Sequence, residues 1–417
     1  MQQPPRSARG KPVRLLPHQA FELKSVKEYN KNILADYLEN HLTGPNAYPK
    51  WDKAKRLMRT HAIEEWEKKV RSRGAILKKL TNRVTKLERD LHRLPVSNPY
   101  RIITVRNLDE SRKALHIATA KDMAMRKVAM RKEANKAKWI QMAGKPNKDF
   151  LAKPRGARKP FGSMTIDNVR DRPDLPHTDN IKVILQNFVD YYGKLYRHKP
   201  ICPKALDRLI GNLTLDLTKE EVKELNAPIE SKEMLRALVD TPKGKSPGTD
   251  RLPYECYKAC PLKAASILTG LGNLVSDKGA QPNSWAQILI SVLPKEADSY
   301  STHKFRPISL LNTDYKVVMR VWANRLGPIL AKKIGHHQRG FIPGRDGREN
   351  IINVQMIIDL INSKNEEGAI AFLDQEKAFD MVSFTTINTT FAKLNWTARF
   401  RSLLATVYKE NHIRAKV

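Results

Sequence analysis

The residue with the most definite chemical potential is Asp374. It closes the apolar run Ala369–Leu373 in the stretch AIAFLDQEKAFD, and a second acid, Asp380, follows six positions later. A short apolar run of this kind predicts a buried strand over Ile370–Leu373, with the carboxylate emerging at its C-terminal end. A hard cation such as Mg2+ takes one or two such carboxylates together with substrate phosphates. Taken alone, a polar residue where a strand stops is the plainer reading of Asp374.

Cations that could meet phosphates stand upstream. ILISVLPK alternates and is rich in β-branched residues, so it predicts a strand ending at Pro294-Lys295. FRPISLL predicts a second strand, with its proline near the start where a missing N–H is tolerated. Adjacent strands would carry Lys295 and Arg306 on one fingertip, and the fixed fork of arginine suits a triphosphate. Asn312 or Thr313 then caps a helix through Leu326. In KGKSPGTDRLPYE, Pro247-Gly248 fixes a turn beside Lys243 and Lys245, and Thr249 or Asp250 can cap the next element. In HHQRGFIPGRDGRENI, Gly340, Gly344 and Gly347 predict a tight loop, with Arg345 on it, before a helix that starts near Glu349.

The elements upstream are helical and basic. Leu77, Leu80, Val84, Leu87, Leu91 and Leu94 recur in alternating steps of three and four, a seam along which one helix packs on another. Two prolines in LPVSNPY end it, and a second helical stretch over about 108–142 carries Lys127, Arg131 and Lys132. The pair reads as an antiparallel hairpin with basic outer faces; the rival is a self-associating, non-enzymatic coiled coil that binds nucleic acid. Between Trp51 and Pro160 roughly 31 Lys/Arg stand against about 11 Asp/Glu, so about +20 of the surplus lies there. The predicted organisation is an arm over 1–45, the helical segment over 46–143, a Gly/Pro-rich linker over 144–180 and a globular part over 181–417. Within the last, helices are predicted from about 181, with Ile184, Phe188 and Leu195 on one side, and from a cap at Ser231.

The whole chain has 417 residues and a net charge of +33, which favours a polyanionic partner, nucleic acid before an anionic surface. Three cysteines make no disulfide framework, and Cys256 and Cys260 find no His or Cys partners to complete a zinc set. No run of about 18 apolar residues exists to span a bilayer. The expected setting is intracellular, in the nucleus or a cytoplasmic ribonucleoprotein, without a membrane partner.

In their order, KSPGTDRLPYE, LPK…FRPISLLNTDYKVVMRVWANRL, QRGFIPGR and FLDQEKAFDMV resemble the reverse transcriptase of LINE-type non-LTR retrotransposons over about 181–417. The resemblance implies a mixed α/β, helix-rich fold: a right-hand polymerase with fingers and the start of a palm. It implies RNA-directed DNA synthesis on an RNA template and DNA primer with two Mg2+ ions. Asp374 becomes a ligand of both ions, Phe379 the gate under the incoming sugar, and Lys295 and Arg306 the triphosphate contacts. Asp380 is assigned a structural role. The GFIPGR loop would shape the pocket near template and primer.

One carboxylate cannot hold two divalent ions against their repulsion. After Asp374 the acids are Glu376, Asp380 and Glu410, and no Asp-Asp dipeptide occurs, whereas the family carries its further metal ligands as such a pair. The expectation is therefore a truncated polymerase, inactive alone, with apolar surface exposed, that retains nucleic-acid binding or is completed in trans.

Overall fold

The computed structural model describes residues 16–44, 46–95, 98–120, 181–197, 201–211, 216–295, 301–409 and 411–416. Lys127, Arg131 and Lys132 lie outside them. The described chain is helix-rich with one small sheet, a mixed α/β composition. In chain order the helices before the sheet are α1 (Lys24–Asn40), α2 (Ala47–Arg93), α3 (100–120), α4 (Ile181–Leu195), α5 (Pro203–Gly211), α6 (Lys219–Asn226), α7 (Ser231–Val239), α8 (Tyr254–Lys258) and α9 (Pro261–Lys278). Strands β1 (Gln287–Pro294) and β2 (Phe305–Leu310) follow. Then come α10 (Thr313–Lys333), α11 (Arg348–Ser363), α12 (Ala378–Met381), α13 (Phe384–Lys393), α14 (Ala398–Tyr408) and β3 (His412–Lys416). The described residues divide between two compact units: those within 1–29, 57–180 and 292–307 form the first, and those within 30–56, 181–291 and 308–417 the second.

In the first unit the leucine seam finds its partner within the chain. Val84 on α2 and Leu108 on α3 are buried, and the remaining seam leucines are half-buried. Arg112 pairs with Glu88 at 2.7 Å, and the Arg101 guanidinium donates to the Leu91 and Leu94 carbonyls that end α2. The two helices thus run antiparallel, and the seam is spent on an intramolecular hairpin. The start of α1 joins this unit through Ser25, which donates to Glu65, and through Tyr29, stacked on His61 with ring centroids 4.0 Å apart.

The core of the second unit lies among α7, α9, α10 and α14, where Met234, Leu268, Leu271, Val318, Trp322 and Phe400 are all but excluded from water. Each such side chain contributes about 1.5–3 kcal/mol by leaving water. Local signals fix the helix ends. Thr218 and Glu221 exchange side-chain and backbone hydrogen bonds in a capping box at α6. Gly279 closes α9 at φ 62, a left-handed conformation that favours glycine. Arg325, inside the WANRL motif on α10, grips Glu233 with two nitrogens and the carbonyls of Glu224, Ala227 and Pro228 through its terminal nitrogens. It thereby ties α6 and α7 to α10.

The sheet has the order β2-β1-β3. Strand β3 runs parallel to β1 in the register Gln287↔His412 to Ser291↔Lys416. Two expectations need correction. Ser231 is the first residue of α7, not its cap; Glu230 precedes the helix, and its N–H donates to the Glu233 carboxylate. The predicted strand over Ile370–Leu373 is irregular, with Phe372 at 87% and Leu373 at 95% exposure. A strand exists only where a neighbour completes its ladder, and β1 gives its two sides to β2 and β3. Helix α11 likewise buries nothing, and Ile351, Met356 and Leu360 stand on its open surface.

Candidate nucleotide and nucleic-acid interface

The four motif stretches fold into four recognisable loops. At the first unit's hairpin, the Lys295 N–H donates to the Lys304 carbonyl at 2.9 Å, closing the mouth between β1 and β2. Lys295 and Arg306 are both exposed there, one just past the end of β1 and the other on β2. Both therefore stand at the same end of the β1–β2 pair.

The other loops belong to the second unit. Lys243 and Lys245 are exposed on the loop between α7 and α8. Both ends of that loop are fastened. At one end Gly244, at φ 70, donates its N–H to Glu255 at 2.6 Å. At the other, Gly248 packs against Asn312 so closely that an added Cβ would fall 2.2 Å from the Asn312 amide oxygen. Asn312 precedes α10 but caps nothing. Its Oδ1 accepts from the Asp250 N–H and the Thr249 hydroxyl, and its Nδ2 donates to the Ser284 carbonyl. Thr313 donates to the Leu252 carbonyl.

Beneath this loop lies a buried cluster of charge. Lys55, from the first turns of α2, lies 2.8 Å from Asp314, 3.2 Å from Asp250 and 3.9 Å from Asp52, and also meets Ser284. Trp51 and Trp285 each donate an indole N–H to the Asp314 oxygen that Lys55 touches. Burial pushes the Asp314 carboxyl up, but the Lys55 charge and the bonds from Lys55, Trp285 and Trp51 outweigh it and hold the group below its usual range. Asp250 has less compensation: burial and the neighbouring Asp314 charge raise it to about 6 against the pull of Lys55. Lys55 stays charged because its acids outweigh the burial that disfavours its ammonium. Sequence reading assigned Asp250 a capping role and passed over Lys55, which sits in a charged helix where nothing marks one lysine as buried.

The GFIPGR loop gives Arg345 a task other than the expected contact with nucleic acid. Its guanidinium donates to the carbonyls of Ala331, Ile334, Gly335 and Gln338, closing the C-terminal end of α10. Ala331 and Ile334 supply acceptors of the kind a helix end leaves without an intrahelical partner, and Gly335 and Gln338 lie just beyond it. Phe341, at φ 62 and 94% exposed, instead points outward and meets the Phe379 ring edge-on at 6.0 Å.

Phe379 and Asp374 are both exposed. The turn between them is held against α4: Asp380 accepts from the Tyr196 hydroxyl at 2.9 Å, and the Lys377 ammonium lies 5.6 Å from the centre of the Tyr191 ring. Lys377 adopts φ 50, a costly conformation for a side chain with a Cβ. The donor set around Asp374 does not fit a pair of Mg2+ ions. Among the described residues no three His, Cys, Asp or Glu side chains gather to hold a metal ion, and the nearby Glu376 is paired with Lys377.

Comparison with known proteins fits this sequence of loops. Residues 293–416 match the reverse transcriptase (RNA-dependent DNA polymerase) family. The likeness is to reverse-transcriptase sequence over those residues, and the relatives that follow are proteins of transposable elements. The chain is similar to the Transposon TX1 uncharacterized 149 kDa protein of Xenopus laevis, 30% identical over 270 residues, which are 64% of this chain and 20% of that protein. It is 31% identical over 159 residues to a probable RNA-directed DNA polymerase from transposon BS of Drosophila melanogaster, covering 37% of this chain and 17% of the relative. A retrovirus-related Pol polyprotein from type-1 retrotransposable element R2 of Nasonia vitripennis is 25% identical over 197 residues, 47% of this chain and 18% of the relative. The chain therefore spans about a fifth of the length of the curated relatives it matches. The reverse-transcriptase match contains β2, α10, the GFIPGR loop, the Asp374 turn and the end of β1, whereas Lys243, Lys245, Asp250 and Lys55 precede it.

Proposed function

We propose that this chain is part of an RNA-directed DNA polymerase, with residues 181–363 in the role of fingers and the segment from Ile370 onward at the start of the palm. The observation that carries the reading is the hairpin at the start of the reverse-transcriptase match, which presents Lys295 and Arg306 together at one exposed end. In this reading Lys295 and Arg306 hold the triphosphate, Phe379 lies under the incoming sugar, and Lys243 and Lys245 bind template or primer phosphates. Lys127, Arg131 and Lys132 add non-specific grip. Asp374 is the candidate metal ligand, by its place in FLDQEKAFD, and among the described residues no partner carboxylates gather beside it. RNA template and DNA primer are the proposed partners.

The test is binding of the full chain to a labelled RNA·DNA primer–template, followed by primer extension with Mg2+. Affinity should fall steeply with salt, as counterion release demands of a protein that neutralises several phosphates. Binding that is absent at low salt, or indifferent to salt, rejects the reading. Any extension observed must vanish in Asp374→Asn. The rival, self-association through the leucine seam, is disfavoured because the seam packs on α3 within the chain.

A further inference from the structure

We propose that Lys55 is a positioning residue for nucleic-acid binding: a buried ammonium that fixes the basic loop over 243–250 from beneath. The proposal rests on the reading that Lys243 and Lys245 meet phosphates, and it extends the interface to a helix that precedes the reverse-transcriptase match altogether.

The geometry is a chain of direct contacts. Lys55 is 2% exposed and cannot itself reach a ligand. It bonds Asp250 and Asp314 at once, so it joins the last residue of the loop to the first turn of α10. The Asp250 backbone is held again by Asn312, and its other carboxylate oxygen accepts from the Leu252 N–H. Gly248 meets Asn312 at a separation that admits no side chain. Such a loop is restrained at both ends so long as Asp250 stays in place, and so is the backbone that carries the two exposed lysines. Without the ammonium, Asp250 and Asp314 would be two like charges in a site closed to water. The loop end must then move or take up a proton. An apolar core could hold α2 here as firmly; what the buried cation adds is a requirement for Asp250 at one spot. A rigid basic loop binds with less ordering cost than a loose one.

The experiment uses the full chain and the same labelled RNA·DNA primer–template, with affinity measured by anisotropy across a salt series. Lys243→Ala/Lys245→Ala should lower the slope of log affinity against log salt by about 2, one for each lost phosphate contact. Lys55→Met should lower that slope as well, although Lys55 touches no phosphate, and should add less than about twofold loss in affinity to the loop double variant, since coupled sites are not additive. Lys-C should cut after Lys243 or Lys245 faster in Lys55→Met than in the parent. If Lys55→Met does not hold its helical circular dichroism, Lys55→Met/Asp314→Asn replaces it, removing one charge of each sign. An unchanged slope in the folded variant, equal losses in both backgrounds, or unchanged cutting overturns the proposal. If the loop double variant binds like the parent, the phosphate reading fails, while the Lys-C rates still decide whether Lys55 fixes the loop.

Discussion

The Lys55 ammonium lies 2.8 Å from the Asp314 carboxylate, and neither side chain has appreciable access to solvent. Charges in that position are tolerated only while paired. Lys55→Met should therefore destabilise the fold by about 3–5 kcal/mol, because it strands carboxylates that cannot hydrate. Lys55→Met/Asp314→Asn should recover more than half of that loss, since an asparagine oxygen can still accept from Trp51 and Trp285. Urea unfolding followed by circular dichroism gives both numbers. A double variant no more stable than the single one would show that the pair's geometry, not its charge balance, is what counts.

The same cluster sets a pH dependence with a definite sign. Burial and the Asp314 charge raise Asp250 from 3.8 to about 6, so the folded chain keeps a proton that the unfolded chain has lost. Its contribution to stability is full below about pH 4 and is lost as pH rises from about 4 to about 6. The lowered Asp314 acts oppositely and costs stability only as pH falls below its own ordinary range. Lys55 also faces Asp250 and stays ionised across the window between. Asp250→Asn should abolish a loss on the order of 2–3 kcal/mol between pH 4 and pH 6, read as the difference between the two proteins' unfolding curves.

Gly248 is required for a steric reason. A Cβ there would stand 2.5 Å from the Asn312 nitrogen and 2.6 Å from the Leu311 carbonyl carbon, backbone atoms with nowhere to go. Gly248→Ala should cost about 3 kcal/mol or more, at the upper end for overpacking, and should weaken binding to the primer–template in parallel. Thermal unfolding and anisotropy on the same sample check the pairing of the two effects.

Much of this was legible from sequence where the signal is local. The alternation in ILISVLPK and FRPISLL becomes β1 and β2, the helix expected after Asn312 is α10, and the leucine steps become a packed hairpin. The glycines of the 340–347 stretch do bracket a tight loop before α11. The features that escaped sequence reading depend on distant partners. An apolar run before Asp374 looks like a strand, yet strand formation needs a neighbour, and periodicity carries no information about one. Lys55 is one lysine among many on α2, and only the approach of Asp250, Asp314 and Ser284 makes it a buried ion. Asn312 occupies a capping position, but its amide is more useful to the loop at 248–250 than to its own helix.

The seam gives a test of assembly. With Val84 and Leu108 buried between α2 and α3, the seam has a partner within the chain. Light scattering should return a monomer mass. Val84→Asp should open the hairpin, at a cost of several kcal/mol for an unpaired charge in an apolar seam, and should raise proteolysis across 77–120. A dimer that Val84→Asp dissolves would instead assign the seam to self-association.

Arg345 separates a structural arginine from a nucleic-acid contact. Four carbonyls at and just beyond the end of α10 accept from its guanidinium, which leaves little of it for a phosphate. Arg345→Lys keeps the charge but loses the planar fork, and a single ammonium cannot reach all four acceptors. The substitution should cost about 1.5–3 kcal/mol in stability, the range for hydrogen bonds from a charged donor, while leaving the salt slope of primer–template binding unchanged. Arg345→Ala should do the same to the slope although it removes a positive charge. A slope lowered by about 1 in Arg345→Ala but not in Arg345→Lys would mean that the charge meets a phosphate and that the closure of α10 is secondary.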